Sequence, residues 1–135
     1  MIKKLFLFLA ICTLLSGCDS SDDAGNLLTS DIVGTWQLTA NLSDPGDGSG
    51  SFQSVSSNKI ITFNSDGTFT SNGNVCDMSI TTSTNTSGTY NTTDKTINAN
   101  CGTTNLPISY TIDNLTMDIS YFCIEACQSR YRKIN

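Results

Sequence analysis

Six cysteines and no histidine define the chemistry open to this 135-residue chain. Without an imidazole, the usual general base and the commonest metal ligand are both missing. Cys12 lies inside an apolar leader and Cys18 directly behind it, which leaves Cys76, Cys101, Cys123 and Cys127 for a folded domain. An even number of cysteines behind an export leader reads as two disulfides, for which three connectivities exist. In an extended strand Cys123 and Cys127 would stand about 13 Å apart, whereas a bridge tolerates roughly 7 Å between Cα atoms. Their pairing therefore requires Ile124-Glu125-Ala126 to turn. The favoured set is Cys76–Cys101 with Cys123–Cys127. Zinc held by all four thiolates is the sharper alternative, but the close paired spacings of zinc ribbons are missing and the compartment is oxidising. No metal is expected.

The twelve Asp and Glu residues are scattered and offer no particular pair for glycoside hydrolysis. No Gly-x-Ser-x-Gly, phosphate-cradling glycine loop or dinucleotide fingerprint occurs. With the domain cysteines committed to bridges, no thiol is spare as a nucleophile. Nothing here argues for an enzyme or a cofactor. Asp44 and Asp47, in the run Asp44-Pro45-Gly46-Asp47-Gly48-Ser49-Gly50, invite a calcium reading. That loop lacks the carboxylate count and spacing of an EF-hand, and turn chemistry explains it better.

Residues 1–17 are a targeting segment and stand outside the fold. Lys3 and Lys4 supply its positive start, and Leu5 to Leu15 form an eleven-residue apolar core. A bilayer span needs about 20 residues, so this core is too short to be one. Leu15-Ser16-Gly17-Cys18 resembles the bacterial lipobox, which implies cleavage before Cys18 and lipidation of that residue. At about 0.8 kcal/mol per buried methylene, two or three acyl chains hold a protein to a membrane durably.

Residues 18–30 comprise this lipidated cysteine and a flexible acidic tether, polar and without an apolar period. Ser20-Ser21-Asp22-Asp23 resembles the acidic surface-export signal of Bacteroidota lipoproteins, whereas Asp19 beside the cysteine resembles the inner-membrane retention signal of enteric bacteria. The expected address is a bacterial outer membrane, facing the periplasm or the cell surface. Without Lys3 and Lys4, five basic residues face twelve acidic ones, a net charge of −7. Such a domain is a poor partner for nucleic acid. Its contact with the membrane rests on the lipid anchor.

Residues 31–135 alternate apolar and polar positions in short runs, the mark of half-buried strands. In Asp31–Ala40, residues Ile32, Gly34, Trp36, Leu38 and Ala40 share one face. Residues 51–56 are a candidate for one further short strand outside the main count. Lys59–Asn64 and Thr68–Thr70 form a hairpin around Asp66-Gly67, a strong turn pair. Met78–Thr81, Gly88–Asn91, Lys95–Ala99, the segment opened by Pro107, Leu115–Tyr121 and Ser129–Ile134 complete eight or nine strands. Short connections favour an all-β, up-and-down antiparallel barrel over a sandwich.

Three motifs, Gly34-Thr35-Trp36, Phe63-Asn64-Ser65-Asp66-Gly67 and Tyr131-Arg132-Lys133, resemble the signatures of small lipocalin-like domains of bacterial lipoproteins. The likeness implies a lipocalin-like barrel in which an Arg of the last strand, Arg130 or Arg132, packs across Trp36, with Gly34 allowing a close backbone approach. It also implies a small apolar ligand. Trp36, Leu38, Phe63, Phe69, Tyr90, Ile97, Tyr110, Met117, Ile119 and Tyr121 either line its cavity or pack as core. A second reading is a structural or interaction protein, an inhibitor or adhesin with a filled barrel. It would meet an envelope or surface protein through the loops at 41–51 and 82–88.

Overall fold

The computed structural model describes residues 31–102 and 108–135. The leader, Cys18, the tether and Pro107 lie outside the described residues. The regular elements within them are nine strands: β1 Gly34–Ser43, β2 Gln53–Ser54, β3 Ile60–Phe63, β4 Thr68–Ser71, β5 Thr86–Asn91, β6 Thr96–Ala99, β7 Ile108–Asp113, β8 Thr116–Ser120 and β9 Cys127–Lys133. From β3 onward each strand pairs antiparallel with the next, and β9 pairs back onto β1, closing an up-and-down barrel. Closure leaves no raw sheet edge between first and last strands.

The second staves of this barrel are split. β3 pairs with the first half of β1, from Gly34↔Phe63 to Gln37↔Ile60, while β2 pairs with its second half at Ala40↔Ser54 and Asn41↔Gln53. The two registers differ by three residues; Val55 N still donates to Thr39 O and Leu38 N to Lys59 O, so residues 56–58 leave the ladder as an excursion. The barrel thus has eight staves, with β2 and β3 sharing one.

β1 also carries a bulge against β9. Leu38 pairs with Tyr131 but Ala40 with Arg130, so Thr39 is the extra residue, and its Oγ1 donates to the Arg130 carbonyl at 3.1 Å. A one-residue insertion exchanges the faces of everything beyond it. The inward set predicted for β1 therefore holds for Trp36 and Leu38 but not for Ala40. Asn41 takes the inner face instead, where Ser129 Oγ donates to its Oδ1 at 2.8 Å.

Inside, Trp36, Leu38, Ile61, Phe63, Phe69, Ile97, Tyr110, Met117, Ile119 and Tyr131 are each no more than 1% exposed. At about 1.5–3 kcal/mol per buried large apolar side chain, this axis of packed residues is the main stabilising element. Phe63 stacks at a tilt on Phe69 and edge-on to Tyr90, with centroids 5.7 and 5.2 Å apart.

One end of the barrel is closed. It gathers the Asp66-Gly67 turn, the 92–95 turn, the 113–115 turn and the C-terminal residues. Trp36 Nε1 donates to the Ile32 carbonyl at 2.8 Å, drawing the entering chain across the end. Gly34, at φ +129°, is needed for close approach: a Cβ there would strike the Asn135 carbonyl and Lys133 Cε. With that space free, Thr35 N donates to Asn135 O and Ile134 N to Thr35 O, both at 2.8 Å.

The cation over Trp36 is Lys133, 5.4 Å from the ring, and neither Arg130 nor Arg132. Facing pairs in β9 and β1 explain the correction. Trp36 points inward opposite Lys133, which leaves Arg130 and Arg132 on the outer face. Arg130 there makes a two-pronged bond to Asp118 at 2.7 and 2.8 Å, with its guanidinium 3.7 Å from the Phe52 ring centroid.

Candidate functional site

The other end, the mouth, is covered by residues 72–85. Sequence alternation predicted a strand at Met78–Thr81, and the structure places no ladder there. Side chains from the barrel rim capture its carbonyls instead: Asn41 Nδ2 donates to Met78 O at 2.9 Å, Lys59 Nζ to Ser79 O at 2.8 Å and Ser57 Oγ to Ile80 O at 2.7 Å. The segment is a lid. Val75, fully buried, plugs the barrel beneath it, and the Cys76–Cys101 disulfide ties it to the end of β6, with Cα atoms 5.6 Å apart. Gly73 lets the lid lie on the stem of Lys59, since a Cβ there would press on the Thr81 carbonyl and on Lys59 Cγ.

The second disulfide, Cys123–Cys127, spans Cα atoms 6.1 Å apart and folds residues 121–126 into a tight turn beside the lid. Both expected pairings are present. Tyr121 N donates to Cys127 O at 3.1 Å, and Asp44 N to Ala126 O at 2.9 Å, fixing the turn to the rim. At its crest Phe122 is 83% exposed and Ile124 fully exposed.

Between the lid and this turn lies a cleft of about 350 Å³. Its walls are Cys76, Asp77, Met78, Cys101, Ile108, Tyr121, Phe122, Cys123 and Cys127, a surface of sulfur, aromatic and aliphatic groups with one carboxylate. That volume lies within the range of small-molecule sites, roughly 300–1,000 Å³.

Two polar features sit behind the cleft. The hydroxyls of Tyr121 and Tyr131 are buried near one another and near Ser129, and neither has a hydrogen-bond partner among the described residues. Burial pushes the Tyr121 phenol up to about 12 and that of Tyr131 well above its ordinary value, so both are neutral at any physiological pH. Lys59 is fully buried under the lid. Desolvation lowers its pKa to about 8, outweighing the opposing attraction of Asp77.

Of the ten residues expected to line a cavity or form core, only Tyr121 lines this cleft. Trp36, Leu38, Phe63, Phe69, Ile97, Tyr110, Met117 and Ile119 are packed core, and Tyr90 is a half-buried residue whose hydroxyl donates to Asn64 O at 2.6 Å near the closed end. The packed axis leaves the candidate site at the barrel rim rather than in its interior. Asp77, Met78, Ile108 and Phe122 were not singled out as site residues. The four cysteines were the signal that marked the place, because both bridges border the cleft. Asp44, the calcium candidate, spends its carboxylate on the amides of Gly46, Gly48 and Gly50 at 2.7, 3.1 and 2.7 Å. Those amides hold its pKa below the usual value. Among the described residues no cluster of His, Cys, Asp or Glu has the form of a metal site.

The sequence matches the family model of the lipocalin-like domain over residues 32–119. No curated protein and no solved structure matches it.

Proposed function

The chain belongs to the lipocalin-like domain family, and from that premise we propose that it is a non-enzymatic binding module holding a small apolar molecule in the mouth cleft. The observation that carries this reading is the cleft itself, about 350 Å³ and walled by Met78, Ile108, Tyr121, Phe122 and the two disulfides. The absence of histidine from the chain and the pairing of the four domain cysteines support a binding role rather than catalysis. The lipobox-like Leu15-Ser16-Gly17-Cys18 supports anchoring to a bacterial envelope membrane through lipid on Cys18. Asp31, which follows the tether, sits at the closed end, where Lys133 Nζ donates to its carbonyl at 2.9 Å. An anchored domain therefore presents its mouth away from the lipid.

Native mass spectrometry of the protein purified from its own envelope tests the binding role. A reproducible co-purifying small molecule is the expected result, and a protein that arrives empty in repeated preparations refutes it. The anchor has a separate test: Cys18→Ser should abolish acyl labelling, and persisting label rules out the lipobox.

A second reading rests on Phe122 and Ile124. Two large apolar side chains exposed on a disulfide-closed turn are an interaction signal, and they favour residues 121–126 over the loops at 41–51 and 82–88 as a contact for an envelope protein. Capture of one defined envelope protein by the wild type but not by a Phe122→Ser, Ile124→Ser double variant would establish it.

A further inference from the structure

Deepening the binding reading, we propose that the mouth cleft takes a cationic amphiphile, an alkylammonium, and discriminates against carboxylate amphiphiles of the same length. The argument starts from the distribution of charge. Asp77 is the one acidic or basic side chain among the residues that line the cleft wall. Among the described residues its oxygens accept only from Asn74 Nδ2 and Ser79 N, both at 2.8 Å, and Lys59 gives its proton to the Ser79 carbonyl rather than to this carboxylate.

The surrounding rim adds only negative charge. Asp44 and Asp47 lie in the loop after β1, and Glu125 lies against that loop, its carboxyl carbon 3.2 Å from where a Cβ on Gly46 would stand. The described cations are elsewhere. Lys95, Arg132 and Lys133 belong to the closed end and Arg130 is held by Asp118 on the outer wall, whereas Lys59, the cation attracted by Asp77, is buried behind the cleft with its ammonium turned to the Ser79 carbonyl. A carboxylate entering the mouth meets no exposed cation, while an ammonium meets the exposed Asp77 directly.

Aromatic groups reinforce the choice. Tyr121 and Phe122 form adjoining parts of the wall, and ring faces attract ammonium groups, quaternary ones included. Because the Tyr121 hydroxyl is buried toward Tyr131 and Ser129, the ring is what Tyr121 offers the cleft. Asp77 and Phe122 are exposed, so the head group sits at the rim. Ile108, Cys76 and Cys101 lie deeper and take the tail. Polar edge and apolar floor match the two halves of an amphiphile.

Calorimetric titration of the purified, disulfide-intact protein with octyltrimethylammonium, 1-octanol and octanoate separates charge from tail, since the three share one chain length. The ammonium should bind about tenfold more tightly than octanoate, with 1-octanol between them, and added salt should narrow the gap. Asp77→Asn should bring the three probes within about threefold of one another. Phe122→Ala alters an exposed side chain that the fold does not need, and it should weaken the ammonium by about fivefold and 1-octanol by less. Octanoate binding as tightly as the ammonium, or a preference unchanged in both variants, overturns the charge assignment and leaves an apolar site standing. If none of the three probes binds, the amphiphile assignment falls, while the binding reading stands or falls on the co-purification test.

Discussion

Trp36 and Lys133 face one another across the β1–β9 seam, and the Lys133 ammonium lies 5.4 Å from the indole while donating to the Asp31 carbonyl at 2.9 Å. One lysine thereby ties together the entering chain, the first strand and the last. Lys133→Met should cost about 1–2 kcal/mol, from the lost cation–π contact and an unpaired carbonyl. Arg132→Ala, on the outer face of the same strand, should stay within about 0.5 kcal/mol of wild type. Urea denaturation of the two variants decides between them, and equal losses would contradict the assignment.

Trp36 has no exposed surface. Trp36→Ala should lose about 3–5 kcal/mol through the cavity it leaves, which is enough to unfold a small domain. Far-ultraviolet circular dichroism on heating should show this before any binding assay does. A stably folded variant that merely fails to bind ligand would place Trp36 in the site rather than in the core.

Stability should pass through a maximum near pH 10. In the unfolded chain Lys59 takes up its proton near its ordinary 10.5, but in the fold it does so only near 8, because burial penalises the charge. Between those values the unfolded state binds more protons, so stability rises with pH across that window. Tyr121 opposes this from about pH 10, where the unfolded phenol ionises while the folded one holds its proton up to about 12. Above pH 10 stability should therefore fall. Melting temperatures from pH 7 to 11 test the shape, and Lys59→Met should flatten the rising limb while leaving the fall.

The two disulfides should differ in worth. Cys76–Cys101 closes a loop of 25 residues and Cys123–Cys127 one of only 4. Loop-closure entropy gives about 3.5 kcal/mol for the first and about 2 kcal/mol for the second. Guanidinium midpoints of the paired Cys→Ser variants should follow that order, and the first pair should also free the lid, visible as faster amide exchange at Val75 and Met78.

Much of the barrel was legible because its strands bury one face. Phe63 and Phe69 flank an Asp-Gly turn, and Met117 and Ile119 alternate with polar neighbours, so period and turn chemistry agree. The reach argument for Cys123 and Cys127 likewise demanded the turn that is present. Two features resisted the same reasoning. Thr39 looks like any strand threonine, and its bulge, which turns Asn41 inward, arises from the register of β9 about ninety residues away. Met78–Thr81 has strand-like residues, but its carbonyls are taken by Asn41, Ser57 and Lys59 rather than by a neighbouring strand. Inward residues of β9 include Ser129 and Lys133, which are polar, so alternation alone gave no reason to prefer Lys133 over the arginines beside it. The rim location of the cleft depends on how completely the axis is packed, a matter of volumes rather than patterns.

The seam between β1 and β9 also sets the order of events in synthesis. It joins Trp36–Ser43 to Cys127–Lys133, so the barrel cannot shut until the last strand has left the ribosome. Until then β1, paired with β2 and β3, and β8, paired with β7, each keep one open edge as a template for any neighbouring nascent chain. A chaperone that shields the first strand until the last is complete would protect this protein at the stage when it is most prone to aggregate.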